Sequence, residues 1–221
     1  MTEENGKEKT EEQEEKSIFS FFLPEGGISE TGSDTKSRTV GLYGDVDEEV
    51  ASAIVYSLLT LKTNGEIKEL KDPEDKNSEI VTTYMPIKMI VSTHGGSAHE
   101  MFAIYDIMRM IKKNYDIETI GIGKVMSAGV LLLAAGTKGK RKIGKNCRVM
   151  LHPVSAASMG DINDLENDTQ EIKRLQKQYL EGLIENTSMA ERHIKKLFKK
   201  KTNTYLSAKE ALECGIVDEI F

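Results

Sequence analysis

The sequence predicts an α/β fold built on a mostly parallel sheet, and three observations carry that expectation. Strand, glycine-containing turn and helix follow one another three times, over residues 39–61, 87–113 and 117–135. The helical parts are apolar on one face, and the strands are short apolar runs bounded by Gly, Ser or Asp. In each unit the polar and glycine residues gather just beyond the strand's carboxyl end, where open α/β sheets hold ligands.

Taken in order, Thr39–Tyr43 reads as a short strand closed by Gly44-Asp45. The acids of Asp45–Glu49 then suit the first turn of a helix, where they face the positive end of its dipole. Val50, Ile54, Leu58 and Leu61 give that helix one buried face. Residues 63–80, with Gly65, Pro73 and many charges, read as a long polar connection. Ile87–Val91 is the next strand. It runs into a turn, Ser92-Thr93-His94-Gly95-Gly96-Ser97, and a helix marked by Met101, Ile104, Tyr105, Met108 and Ile111. Ile117–Ile122 is a buried strand, Val130–Ala135 the start of an apolar helix, and Ser127 lies between them. A fourth strand, Arg148–Leu151, ends at His152-Pro153. Asp161–Thr187 is a long helix with Leu165, Ile172, Leu175, Tyr179 and Leu183 along one side, long enough to project and meet another subunit. The C-terminal part holds a short helix starting near Ser207, stopped by Gly215, and a last short strand.

A chain of 221 residues suits one domain with a full core. Residues 1–38 stand apart. Residues 1–16 are charged or polar and read as a disordered acidic tail. Ile18–Leu23 is abruptly apolar and suits either an edge strand or a partner-binding patch, and 26–37 is a Gly/Ser/Thr loop. The single folded domain is therefore 39–221. With 30 basic and 36 acidic residues, a net charge of −6 argues against a nucleic-acid partner. No apolar run approaches the ~20 residues of a membrane span, and the first residues do not resemble a secretory signal. Cys147 and Cys214 suit core thiols in a reducing cytoplasm.

The chemistry gathers at three strand ends, carrying Gly95-Gly96, Ser127 and His152. A serine at a tight strand-to-helix junction exposes its hydroxyl beside the free N–H groups of the next helical turn, a nucleophile and an anion site together. On the residues alone, a small side chain easing a crowded junction explains Ser127 as well. His152, fixed by the following Pro153, suits the base that such a serine needs. Gly96 and Ala128 are the candidate N–H donors to a developing oxyanion. His94 reads as a turn residue, and His99 and His193 as helix-surface residues. No cluster has metal-ligand spacing, and no cofactor is expected. The run Gly139–Lys145 has the spacing of a phosphate-binding loop, but Asn146 replaces the hydroxyl residue and a strand follows, so it is a basic turn. Lys195–Lys201 reads as a solvated helix end.

Several stretches together resemble the Clp protease proteolytic subunit (ClpP) family. They are Val91–Ser97, Ile104–Met108, Gly123–Val130, Ala135–Arg141, Asn146–Pro153 and Tyr205–Asp218. The resemblance runs from about Val40 to the C-terminus. It implies a ClpP/crotonase-type repeated ββα spiral with a long protruding handle helix, here the helix from Asp161. It implies a serine endopeptidase assembled as two stacked heptameric rings around a chamber, fed unfolded polypeptide by an AAA+ unfoldase that hydrolyses ATP. By the matching motifs Ser127 is the nucleophile, His152 the general base, and Gly96 and Ala128 the oxyanion positions. The family's third catalytic residue is an Asp shortly before the Tyr205-Leu-Ser-Ala segment; Asn203 is its counterpart here. An Asn orients an imidazole without stabilising its charge, and in trypsin-like enzymes that change costs about 10⁴ in turnover. His94 stands where the family has Pro, residues 1–38 lack the family's usual gating segment, and 63–85 is longer than usual. A catalytically weak structural subunit of a mixed ring, or a crotonase-like acyl-CoA enzyme, are the alternatives.

Overall fold

The computed structural model of the chain describes residues 37–199 and 202–221. The expected acidic tail, the apolar run Ile18–Leu23, nearly all of the following loop, and Lys200 and Lys201 lie outside the described residues.

β1 (Thr39–Val46) leads into α1 (Glu48–Thr63). The Asp47 carboxylate caps α1 by accepting the Val50 N–H at 2.9 Å, with Glu48 and Glu49 in the first turn. Ala51, Ile54 and Leu58 form its buried face. The stretch expected as a polar connection instead holds a hairpin, β2 (Glu66–Leu70) antiparallel to β3 (Ile80–Tyr84), in a sheet of its own. Charged residues between Ile67, Leu70, Ile80 and Val81 mask its alternation, and every β2 and β3 residue is exposed or only half-buried. Tyr84 fastens it to the body, its ring 4.8 Å from that of Tyr115, whose hydroxyl donates to Lys62 O.

β4 (Ile87–Gly96) is longer than expected: the Gly95-Gly96 pair belongs to the strand, paired with Asp45 and Val46 of β1. α2 (Ala98–Ile111), capped by Ser97, buries Met101, Ile104, Tyr105, Met108 and Ile111, the five expected positions. β5 (Ile117–Met126) also runs past its expected end, up to Ser127, and α3 (Ala128–Ala134) follows with every residue buried. Then come β6 (Arg141–Ile143), a strand inside the stretch read as a basic turn, and β7 (Arg148–Leu151). α4 (Ile162–Asn186) is exposed over residues 162–170 and buries Leu175, Tyr179, Gly182 and Leu183 further on. α5 (Glu191–Lys199), β8 (Thr204–Leu206), α6 (Ala208–Glu213) and β9 (Glu219–Ile220) complete the chain. α6 starts from a capping box formed by Ser207 and Glu210. Among the described residues no helix is long and apolar enough to cross a membrane.

The main sheet has seven strands among the described residues, parallel except where β8 meets β7. Its path β1-β4-β5-β6-β9 branches at β5. Thr119–Gly121 pair with β6, whereas Lys124–Met126 pair with β7. Gly123, at φ +61°, lies between the two halves and lets β5 change partner. The branch leaves β7 beside the carboxyl end of β5, so two strand ends meet there. This is the mixed, mostly parallel architecture expected, a ββα spiral with one long helix.

Candidate active site

Ser127 sits at the junction of β5 and α3 with φ +53° and ψ −121°, the one described residue other than glycine at positive φ. Such a backbone costs about 1–3 kcal/mol and persists only where neighbours over-determine it. Three bonds do so. The Ser127 N–H donates to Met150 O on β7 at 2.8 Å. The Ser127 carbonyl accepts the Val130 N–H at 3.0 Å and the Tyr179 hydroxyl of α4 at 2.8 Å. The Ser127 side chain, in contrast, makes no capping bond to α3, so its hydroxyl is left for other chemistry. The Ala128 N–H, the first of α3, has no partner within the helix.

Gly95 lies against this serine. A Cβ added there would stand 2.5 Å from Ser127 Cβ and 3.1 Å from its Oγ, and φ is +101°. Only glycine lets β4 and the junction approach this closely. Its N–H is held by Thr93 Oγ1 at 2.9 Å, and that buried hydroxyl donates in turn to Gly44 O. Gly129 serves the same approach one step on, since a Cβ there would strike the Thr93 methyl. Gly96 is backed onto Val46 of β1.

His152 follows β7 directly and is half-buried. Its Nδ1 lies 2.6 Å from Pro153 O. A carbonyl only accepts, so Nδ1 carries the proton and Nε2 is the basic nitrogen. Parallel register pairs Met126 with Met150, so Ser127 and His152 leave the carboxyl ends of adjacent strands. Asn203 is exposed. The antiparallel pairing of Leu151 with Thr204 puts its backbone one step on, across from His152. Among the described residues no hydrogen bond joins the Asn203 side chain to the imidazole, whose Nδ1 faces the Pro153 carbonyl.

The other three histidines are exposed. His94 lies 3.9 Å from Asp45, and His99 and His193 sit on α2 and α5. An open cleft of about 590 Å³ is lined by the glycine pair, His94, Asp45, Asp47, Glu48 and Glu100. Neither Ser127 nor His152 lines it. Pro153, expected to fix His152 by its rigidity, also offers its carbonyl to Nδ1. Tyr179 gave no site signal in the sequence, since it sits on a stripe that reads as core. Gln176, on the same helix, accepts the Val154 N–H at 2.6 Å just beyond His152.

A family model described as Clp protease matches residues 79–221. The chain is 33% identical over 187 residues to an ATP-dependent Clp protease proteolytic subunit 2 of Corynebacterium jeikeium, covering 84% of this chain and 79% of that protein. It is 33% identical over 199 residues to an ATP-dependent Clp protease proteolytic subunit 1 of Corynebacterium glutamicum, covering 88% and 86%.

Proposed function

Because the chain belongs to the Clp protease family and is homologous to its proteolytic subunits, we propose that it is a serine endopeptidase that cleaves unfolded polypeptides through an acyl-enzyme on Ser127. The observation that carries this reading is the strained Ser127 junction, whose backbone is held by three hydrogen bonds while its hydroxyl is left uncommitted. Backbone strain of this kind clusters at functional sites, which supports the reading.

The reaction has two halves. Ser127 Oγ adds to the scissile carbonyl as His152 Nε2 takes the hydroxyl proton. The oxyanion faces the N–H groups of Gly96 and Ala128. Gly95 spends its own N–H on Thr93, which supports Gly96 as the donor from this strand end. The tetrahedral intermediate collapses, the C–N bond breaks, and His152 returns its proton to the leaving amine. Water then attacks the ester, His152 takes its proton, and Ser127 is regenerated as the acid product leaves. The Pro153 carbonyl holds the tautomer this requires, and Asn203, across from His152, is the third member of the site. No cofactor takes part. The working particle is two stacked heptameric rings in the cytoplasm, with α4 as the handle between them. Polypeptide is delivered by an AAA+ unfoldase, the only ATP-consuming component.

A fluorophosphonate probe tests this. The wild-type chain is expected to gain one adduct, located on the peptide carrying Ser127. Burial pushes the Cys147 thiol up to about 11 and the Cys214 thiol above its usual range, so neither competes as a thiolate. A folded, assembled chain that takes no adduct, or takes it elsewhere, defeats the serine mechanism and leaves a structural ring subunit. Coenzyme A thioester binding to such a chain would point to the crotonase-like alternative.

A second expectation concerns Gly95→Ala. Its methyl would overlap Ser127 Cβ and force both strand ends apart. A displacement of about 1 Å at reacting atoms costs about 10² in rate, so kcat/KM on a fluorogenic peptide should fall at least that far. Hydrolysis at the wild-type rate would mean that Gly95 does not abut the working serine.

A further inference from the structure

We propose, on the peptidase reading above, that Tyr179 is a positioning residue that aims the Ala128 N–H at the oxyanion by holding the Ser127 carbonyl. The Ser127–Ala128 peptide is a planar trans unit, so its C=O and N–H point in opposite directions. Whatever fixes the carbonyl therefore fixes the N–H. The Tyr179 hydroxyl donates to that carbonyl at 2.8 Å, and the Val130 N–H supplies the second bond at 3.0 Å. Together they occupy both lone pairs and leave the peptide no free rotation about its flanking bonds.

Tyr179 is built to hold. It is 3% exposed, and its ring stacks on Phe198 of α5 with centroids 5.8 Å apart and planes 6° from parallel. Burial pushes its phenol far above the ordinary range, so the hydroxyl keeps the proton it donates at any working pH. One turn earlier on α4, Gln176 Oε1 accepts the Val154 N–H, two residues past His152, and its buried Nε2 has no partner among the described residues. A single turn of α4 thus grips the main chain beside both reacting side chains. Gly182 brings this part of α4 against α3, since a Cβ there would lie 3.0 Å from Leu131. The stripe that reads as core from the sequence therefore also reaches the site through hydrogen bonds.

The experiment compares wild type with Tyr179→Phe, which removes only the hydroxyl. A fluorogenic peptide gives kcat and KM. A peptide boronic acid, whose adduct carries a tetrahedral oxyanion, reports on the N–H donors. Tyr179→Phe is expected to lower kcat about tenfold and weaken the boronate by a similar factor, with KM within twofold and native mass unchanged. Wild-type kcat and boronate affinity in the variant overturn the proposal. So does a loss confined to native mass or thermal midpoint, which marks a packing role alone. If Tyr179→Phe does not assemble, a ring-fluorinated tyrosine at 179 keeps the packing and changes the hydroxyl's acidity. Its kcat and boronate affinity should then move together, and no movement in either overturns the proposal. A wild-type chain that binds no boronate and takes no fluorophosphonate defeats the peptidase reading itself, and is told apart because it fails before any variant is made.

Discussion

Ser127→Ala is expected to abolish measurable peptide hydrolysis, and Ser127→Gly to do the same while making the chain more stable. In serine proteases, loss of the nucleophile alone removes about as much rate as loss of the whole catalytic set. The two variants part in the folded state. At φ +53° a side chain costs about 1–3 kcal/mol, and glycine escapes that cost. Glycine also loses about 0.5–1 kcal/mol through its greater freedom in the unfolded chain. The net gain is about 1 kcal/mol, or about 2–4 °C in Tm for a domain of this size. Ser127→Ala keeps a Cβ in the same backbone and should show no gain. Thermal unfolding of the three proteins side by side checks this, and equal midpoints for the Gly and Ala variants would falsify the strain account.

Asp218→Ala should cost about 3–5 kcal/mol of stability, as expected when a buried cation loses its counter-charge. Arg141 is 4% exposed. Its guanidinium donates to both Asp218 oxygens, at 2.8 and 2.5 Å, and to the carbonyls of Asn186 and Ala134. Asp218 also accepts the N–H groups of Gly139 and Arg141. The pair therefore joins the 137–141 turn, the end of α4 and the C-terminal strand. The Arg141 side-chain bond, above all, holds the Asp218 carboxyl below its ordinary range. A depressed carboxylate pKa contributes stability that is complete above the unfolded value, about 3.9, and lost as pH falls through the lower folded value. Denaturant unfolding should accordingly show the full gap between wild type and Asp218→Ala at neutral pH, narrowing below about pH 4. A gap that does not narrow in acid would remove the ion pair as its cause.

The helices were the most legible part of the sequence. Met101, Ile104, Tyr105, Met108 and Ile111 repeat at helical spacing, and Asp47, Ser97, Asp161 and Ser207 cap helices where side-chain chemistry favours a start. Strand ends were less so. Gly95-Gly96 reads as a turn because glycine usually interrupts strands, yet both residues stay paired with β1, and Gly123 lets β5 bend. The β2–β3 hairpin was hidden because its faces are largely solvated, leaving little hydrophobic alternation to read. At the site, residue types and spacing pointed to Ser127 and His152. The dihedral of Ser127, the carbonyl under the imidazole and the hydroxyl of Tyr179 depend on tertiary contacts that no local pattern encodes.

The β5 branch has a consequence for synthesis. One edge of β7 rests on the second half of β5, while its other edge is covered by β8, drawn from residues 204–206. A nascent chain emerging from the ribosome lacks that cover until residues 204–206 are out, about fifty residues after Leu151. At about 5–20 residues per second that interval takes about 3–10 seconds. Until then the histidine strand is flanked on one side alone, so the growing chain carries its serine well before it can carry a finished protease.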